Sequence, residues 1–296
     1  MNHLSFLQAI VIGLVQGITE LFPISSLGHS VLVPAWLGGS WQGLVTQESS
    51  PESPYLAFIV GLHVATALAL LVLFRRDWVA IIGGFLTSVR NRRIQTVPER
   101  LAWLIIIATV PVGIAGLALE HALRTLFAKP LASGIFLILN GLILLAGERL
   151  RRRVPAADGA TLGEGDTDDD VVRKVRPLDA AWIGTLQIGA LFAGISRSGI
   201  TMVGGLLRGL SHEEAVRFAF LLATPVIFAA GVYKVPDLFG PLGDGIRGQV
   251  LAGSAVAFVA AFFSASFLVR WFKTRTLTPF AVYCLVVGVA SVVRFA

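Results

Sequence analysis

Six apolar runs of roughly 20 residues constrain this chain more than any other feature: residues 55–74, 101–119, 131–147, 215–233, 250–269 and 279–295. Each is long enough to cross a hydrocarbon core of about 30 Å as a helix. The composition agrees, with 55% of the 296 residues hydrophobic and 14% charged, against roughly 25% charged in an ordinary soluble domain. The expectation is an all-α polytopic membrane protein with six transmembrane helices. Cys284, the single cysteine, lies inside an apolar run and reads as a small core residue with no disulfide partner.

Two further apolar stretches, 4–38 and 178–210, are broken near their middles by Gly, Pro and hydroxyl residues. Each reads as two short arms around a polar tip, and a bilayer tolerates such a tip only where protein or a water-filled cavity surrounds it. Both are therefore expected to be re-entrant helical hairpins. Gln16 and Glu20 interrupt the first stretch and no Lys or Arg precedes it, which argues against a cleaved signal peptide. At the other end of the second stretch, Ser211 and Glu214 have the spacing of a capping box opening the fourth span.

Charge sets the expected orientation. The net charge is +6, and if the loops alternate across the membrane, sixteen Lys and Arg fall in one set and five in the other. The arginine-rich loops are then cytoplasmic and both termini lie outside. These arginines would meet anionic headgroups, and nucleic acid is not an expected partner. Residues 155–175, rich in Asp, Gly and Thr, have the composition of a mobile cytoplasmic linker.

The two tips are related in sequence. A constant shift of 171 aligns Gln16 with Gln187, Ile24 with Ile195, Ser25 with Ser196, Gly28 with Gly199 and Ser30 with Thr201. Three spans follow each hairpin, so the second copy starts from the opposite face of the membrane. The expected organisation is a first repeat over 1–147, a cytoplasmic linker over 148–177 and a second, inverted-topology repeat over 178–296. Such an arrangement brings two broken segments toward the midplane, with helix N-termini that favour an anion between them.

Ionisable groups within membrane segments are costly and usually mark a site. In the first tip, Gln16 and Glu20 stand one helical turn apart and share a face. The second tip reads Gly194-Ile195-Ser196-Arg197-Ser198-Gly199-Ile200-Thr201. Its guanidinium offers paired donors for phosphate oxygens, its hydroxyls add neutral donors, and its glycines permit close approach of the backbone. Glu20 is the expected counter-charge for Arg197. A buried ion pair joining the hairpins, with Ser and Gly serving close helix packing, would be the bland alternative. His29, an acid–base group, and the hydroxyls of Ser25 and Ser26 favour phosphoryl chemistry instead. His63, in the middle of the first full span, could approach the site, although a lone histidine in a helix bundle is more often hydrogen-bonded to a neighbour, and Asn140 reads as interhelical hydrogen bonding outside the site.

The Gln16-x-x-x-Glu20 spacing, the Ser25-Ser26-x-Gly28-His29 run and Gly194-x-Ser196-Arg197-Ser198-x-x-Thr201 together resemble the signature motifs of the bacterial undecaprenyl-diphosphate phosphatase family, of the bacitracin resistance protein type. The resemblance implies an enzyme of the cell membrane that hydrolyses undecaprenyl, or another polyprenyl, diphosphate to the monophosphate and inorganic phosphate, recycling the carrier lipid for peptidoglycan, with its active site outward. It also implies Glu20, Ser26, His29 and Arg197 as catalytic groups, with Ser25, Gly28, Ser196, Ser198, Gly199 and Thr201 at the substrate. A divalent cation, Mg²⁺ or Ca²⁺, would be held by Glu20 and Gln16. Ser26, His29 or water is the nucleophile, and His29 can otherwise serve as base or acid. Membrane lipids, and a second copy in a homodimer, are the other expected partners. Three positions depart from the common pattern: Gln16 replaces an acid, Leu27 a threonine and Ala193 a proline. The rival class is a polyprenyl-phosphate flippase or anion transporter built on the same inverted repeat.

Overall fold

The computed structural model describes residues 4–44, 53–127, 129–151 and 167–296, which form helices and connecting turns with no strand among them. In chain order the α-helices are α1 (Phe6–Thr19), α2 (Ser26–Leu37), α3 (Pro54–Leu73), α4 (Arg75–Asn91), α5 (Val97–Phe127), α6 (Pro130–Arg151), α7 (Thr167–Lys174), α8 (Pro177–Leu186), α9 (Arg197–Leu206), α10 (His212–Phe239), α11 (Arg247–Trp271) and α12 (Thr278–Phe295). Five of them, α5, α6, α10, α11 and α12, are long and apolar enough to cross a membrane, and α3 with α4 qualifies as a sixth, bent unit. Large apolar side chains such as Leu117, Leu251, Phe263 and Val293 are two-thirds or more exposed on these helices, as lipid-facing residues are. The protein is a multi-pass membrane protein.

The capping box at α10 forms as the spacing suggests: Ser211 Oγ accepts from Glu214 N at 3.2 Å and Glu214 Oε2 from Ser211 N at 2.8 Å. A second box, Ser5 with Gln8, opens α1. Two segments expected as loops are helical instead. Residues 75–91, read as part of an arginine-rich loop, form α4, which leaves α3 at 87°. Its inner face packs on α5, where Trp103 Nε1 donates to Ser88 Oγ at 3.0 Å and Phe85 meets the Trp103 ring. Its outer face leaves Val79, Ile82 and Leu86 exposed between arginines, the pattern of a helix lying at a lipid–water boundary.

The expected linker at 155–175 is also corrected in part. Its residues up to 166 lie outside the described part of the chain, but 167–174 form α7. Val171, Val172 and Val175 are buried, and ion pairs from Lys174 to Glu214 at 2.7 Å and from Arg217 to Asp168 at 2.6 Å fasten the helix to α10. Valines spaced for one helix face, in a segment otherwise rich in aspartate, outweigh the solvating composition once a partner helix is present.

The helices pair in a regular way. Helix α3 packs on α10 and α6 on α12, while α1 packs on α11 and α8 on α5. Gly13 and Gly184, separated by the same 171 residues as the tips, make the same kind of contact. A Cβ on Gly13 would strike the carbonyl oxygen of Gly253, and one on Gly184 that of Ala108. Without a hydrophobic force between helices in lipid, close backbone approach of this kind is what holds them together.

These contacts make Gly184 intolerant of any side chain, whereas Gly113 on α5 has no atom within 4 Å of the corresponding position. Overpacking costs about 1–3 kcal/mol and occasionally more. Gly184→Val is therefore expected to lower the thermal midpoint of the purified protein and its monodisperse yield. Gly113→Ala should leave both unchanged, as read by thermal-shift and size-exclusion measurements.

Candidate active site

Helices α1 and α2 are separated by residues 20–25, and α8 and α9 by a 3₁₀ turn, Gln187–Leu191, and residues 192–196. The two breaks meet in the interior and bond to each other. Gly194 N donates to Ser25 Oγ at 3.1 Å, and Ser198 Oγ and Ser196 Oγ both reach Phe22 O, at 3.3 and 3.4 Å. Asn140 on α6 holds one tip with each end of its amide, donating from Nδ2 to Pro23 O at 2.9 Å and accepting at Oδ1 from Ser196 N at 3.0 Å. Buried irregular backbone leaves donors and acceptors that water would otherwise serve, and here the opposite tip and Asn140 serve them.

Each tip starts its second arm in the same manner. Ser25 Oγ accepts from Gly28 N at 3.2 Å, and Ser196 Oγ accepts from Gly199 N at 3.1 Å, both as N-caps. Ser25 adopts φ 71°, a left-handed conformation rare for a residue with a Cβ. What holds it there is the double load on its side chain and the grip of His29, whose Nδ1 donates to Ser25 O at 2.7 Å.

The glycines of the motifs serve this meeting of tips. A Cβ on Gly28 would stand 2.9 Å from Gly194 Cα. Gly194 itself has φ +123° and no room for a side chain beside Phe136 and Ser133. Both are therefore needed for close approach of the two halves, and at Gly194 also for backbone conformation.

Glu20, at the end of α1, gathers the polar groups of the first tip. Its Oε2 accepts from Gln16 Nε2 at 3.1 Å and from Ser26 Oγ, and lies 3.4 Å from His63 Nε2 on α3. Across from it stands Arg197, the first residue of α9. A small cavity of about 20 Å³ is lined by Glu20, Ser25, Ser26, Leu27, His63, Ala190, Ile195, Ser196 and Arg197. The Glu20–Arg197 ion pair anticipated from the sequence does not form. Instead, the Nε and Nη1 of Arg197 are buried with no hydrogen-bond partner.

The expected site residues thus divide. Glu20, Ser25, Ser26, Ser196 and Arg197 line the cavity. Gln16 stands behind Glu20, and Gly28, Ser198, Gly199 and Thr201 are buried in the helices that carry the tips. His29 is outside the cavity lining, its Nδ1 on Ser25 O and its Nε2 2.8 Å from Tyr283 OH. The imidazole beside the acid is His63, which the sequence reading set aside together with Asn140. The signal available for both was a polar residue alone in the middle of an apolar span. Tyr283 carried no such signal, because tyrosine is ordinary near membrane interfaces.

Comparison with known proteins bears on what this arrangement does. The family model described as Bacitracin resistance protein BacA matches residues 9–290. The chain is 58% identical to "Undecaprenyl-diphosphatase 2" of Frankia alni, over all of this chain and 99% of that protein. It is 60% identical to "Undecaprenyl-diphosphatase" of Mycolicibacterium paratuberculosis over 99% of this chain and 98% of the other, and 42% identical to "Undecaprenyl-diphosphatase 2" of Chromobacterium violaceum over 96% and 97%.

Asn140→Leu would remove both of its tip bonds while keeping the volume similar, leaving Pro23 O and Ser196 N buried and unpaired at about 1–3 kcal/mol each. The expected result is a lower thermal midpoint together with loss of most activity. Cys284→Ala, which removes the weak thiol contacts to Asn140 Nδ2 at 3.3 Å and to Pro23 O at 3.9 Å, should retain activity close to that of the wild type.

Proposed function

The chain belongs to the bacitracin resistance protein BacA family, and from that premise and the geometry of its site we propose that it is an integral membrane phosphatase acting on undecaprenyl diphosphate. It cleaves the phosphoric anhydride to give undecaprenyl monophosphate and inorganic phosphate, which returns the carrier lipid to peptidoglycan synthesis and underlies bacitracin resistance. The observation that carries this reading is Arg197, which lines the cavity and has two buried guanidinium nitrogens, Nε and Nη1, without a hydrogen-bond partner. Unsatisfied buried donors are expensive, and a terminal phosphate is a ligand that pairs them.

The residues of the cavity divide the work. Arg197 grips the terminal phosphoryl group and offsets charge as it transfers. Ser26 donates its hydroxyl hydrogen bond to Glu20, which is the arrangement of a nucleophile beside its base. Ser26 Oγ forms a bond to the terminal phosphorus and its proton passes to Glu20. The bond from that phosphorus to the bridging oxygen breaks, and the electron pair leaves with the lipid monophosphate. Water then attacks the phosphoserine, Oγ departs and takes the proton back from Glu20, and phosphate is released. His29 is a positioning residue, fixing the strained Ser25 through its carbonyl.

A divalent cation fits the first tip as a group shared with substrate. No cluster of three or more His, Cys, Asp and Glu occurs among the described residues, so there is no all-protein cage. One carboxylate with substrate phosphates is, however, a common Mg²⁺ environment. Glu20 would hold Mg²⁺ or Ca²⁺ there, supplying charge neutralisation on the diphosphate, while Gln16 turns its Nε2 rather than its amide oxygen toward that carboxylate.

In the membrane, the two broken stretches are re-entrant hairpins entering from opposite faces, each followed by three spans, the first of them being α3. The shared shift of 171 in the caps and close glycines supports this inverted repeat. The arginine-rich ends face the cytoplasm of a bacterial cell, and the termini and the site face outward.

Purified protein given undecaprenyl diphosphate and Mg²⁺ in detergent should release inorganic phosphate. A flippase or carrier of the same architecture would release none. Arg197→Lys loses the paired donors and should lower kcat by about 10²-fold or more. Ser26→Ala should abolish turnover, and rapid quenching of the wild type should trap phosphate on serine. Trapping on histidine would contradict the mechanism.

A further inference from the structure

We propose that His63 is a direct ligand of the divalent cation, sharing it with Glu20 through Nε2. The inference rests on the phosphatase reading and deepens it, since the ion concerned is the one that accompanies the diphosphate.

The imidazole is locked in one orientation. His63 Nδ1 lies 2.9 Å from the carbonyl oxygen of Ile59, one turn back on α3. A carbonyl only accepts, so Nδ1 carries a hydrogen and Nε2 is the ring nitrogen turned toward Glu20. Metal-bound histidines have this same outer contact, one ring nitrogen on a backbone carbonyl and the other on the ion. His63 Nε2 and Glu20 Oε2 then face each other, 3.4 Å apart. Glu20 does not need the ring for its hydrogen bonding, because Gln16 and Ser26 already donate to the same oxygen. One cation can bind both atoms at once. Two ligands each about 2.1 Å from one ion stand roughly 3 to 3.5 Å apart, and the observed separation falls in that interval.

Size and charge agree. The cavity beside these groups, about 20 Å³, is large enough for a water or an ion. Its lining carries one guanidinium, Arg197, and one carboxylate, Glu20, which cancel. A diphosphate brings more negative charge than this lining offsets, and a divalent cation entering with it supplies the balance. Gln16 adds no charge, and the imidazole is the remaining strong donor in the lining. His29 cannot take this part, because both of its ring nitrogens are engaged, on Ser25 O and Tyr283 OH. A nitrogen ligand also changes selectivity: imidazole favours transition ions, whereas Ca²⁺ prefers oxygen.

The test uses Mn²⁺ with the purified full-length protein in detergent, read by pulsed electron paramagnetic resonance. Wild type should show ¹⁴N modulation from one directly bound imidazole, and the modulation should change to that of ¹⁵N in protein labelled at histidine. His63→Gln should lose it, and the Mn²⁺ dissociation constant should rise about tenfold or more. Activation by Mn²⁺ should weaken more in that variant than activation by Ca²⁺. A Mn²⁺ signal free of nitrogen in the wild type would overturn the proposal, as would nitrogen modulation that persists in His63→Gln, since His63 would then only pair with Glu20. Phosphate release by the same wild-type preparation is measured alongside. Release with a nitrogen-free Mn²⁺ signal defeats the His63 ligand alone, and no release defeats the phosphatase reading beneath it.

Discussion

A hydrocarbon interior offers no water to satisfy interrupted helices, and that constraint governs the centre of this protein. Two breaks, each carrying backbone groups that a continuous helix would have paired, are placed against one another so that each supplies what the other lacks. Ser25 Oγ receives Gly194 N, the serines of the second tip reach Phe22 O, and Asn140 joins Pro23 O to Ser196 N. An isolated tip would leave several buried groups unpaired, at about 1–3 kcal/mol each. The two halves are thus mutually required, and the site exists only where they meet.

Within that network two side chains of the second break keep buried atoms without hydrogen-bond partners, Gln187 at Oε1 and Arg197 at Nε and Nη1, and of the two only Arg197 lines the cavity. The neighbours that could have neutralised the guanidinium are occupied elsewhere: Glu20 is bonded to Gln16 and Ser26 and lies beside His63. On the proposed reading a terminal phosphate supplies the partners that Arg197 lacks, between tips held together by the close fit of Gly28 against Gly194.

Much of this was legible in the sequence, and the parts that were not have physical reasons. The spans announce themselves through length and apolarity, and the tips through Gly, Pro and hydroxyls where a straight helix would have none. The partner of Glu20 was misread because opposite charges on two tips suggest an ion pair, whereas the actual neighbour, His63, arrives from a third element, α3, whose approach no local pattern encodes. The glycines read as room for phosphate also make room for the opposite tip, as Gly28 does against Gly194. Helix α4 looked like a charged loop because its arginines dominate the composition, while the apolar residues at helical spacing, Ile81 and Phe85 among them, decide its packing on α5. In α7 and the residue after it, likewise, three buried valines outweigh a run of aspartates.

The central claim is that Arg197 and the first tip together form a receptor for a terminal phosphate. It is tested most directly by a structure of the protein bound to a methylene-bridged, non-hydrolysable analogue of undecaprenyl diphosphate. The account predicts the terminal phosphonate within hydrogen-bonding distance of Arg197 Nε and Nη1, with Ser26 Oγ in line with the bridging bond. A phosphonate bound elsewhere, or an Arg197 turned away to pair with Glu20, would contradict it.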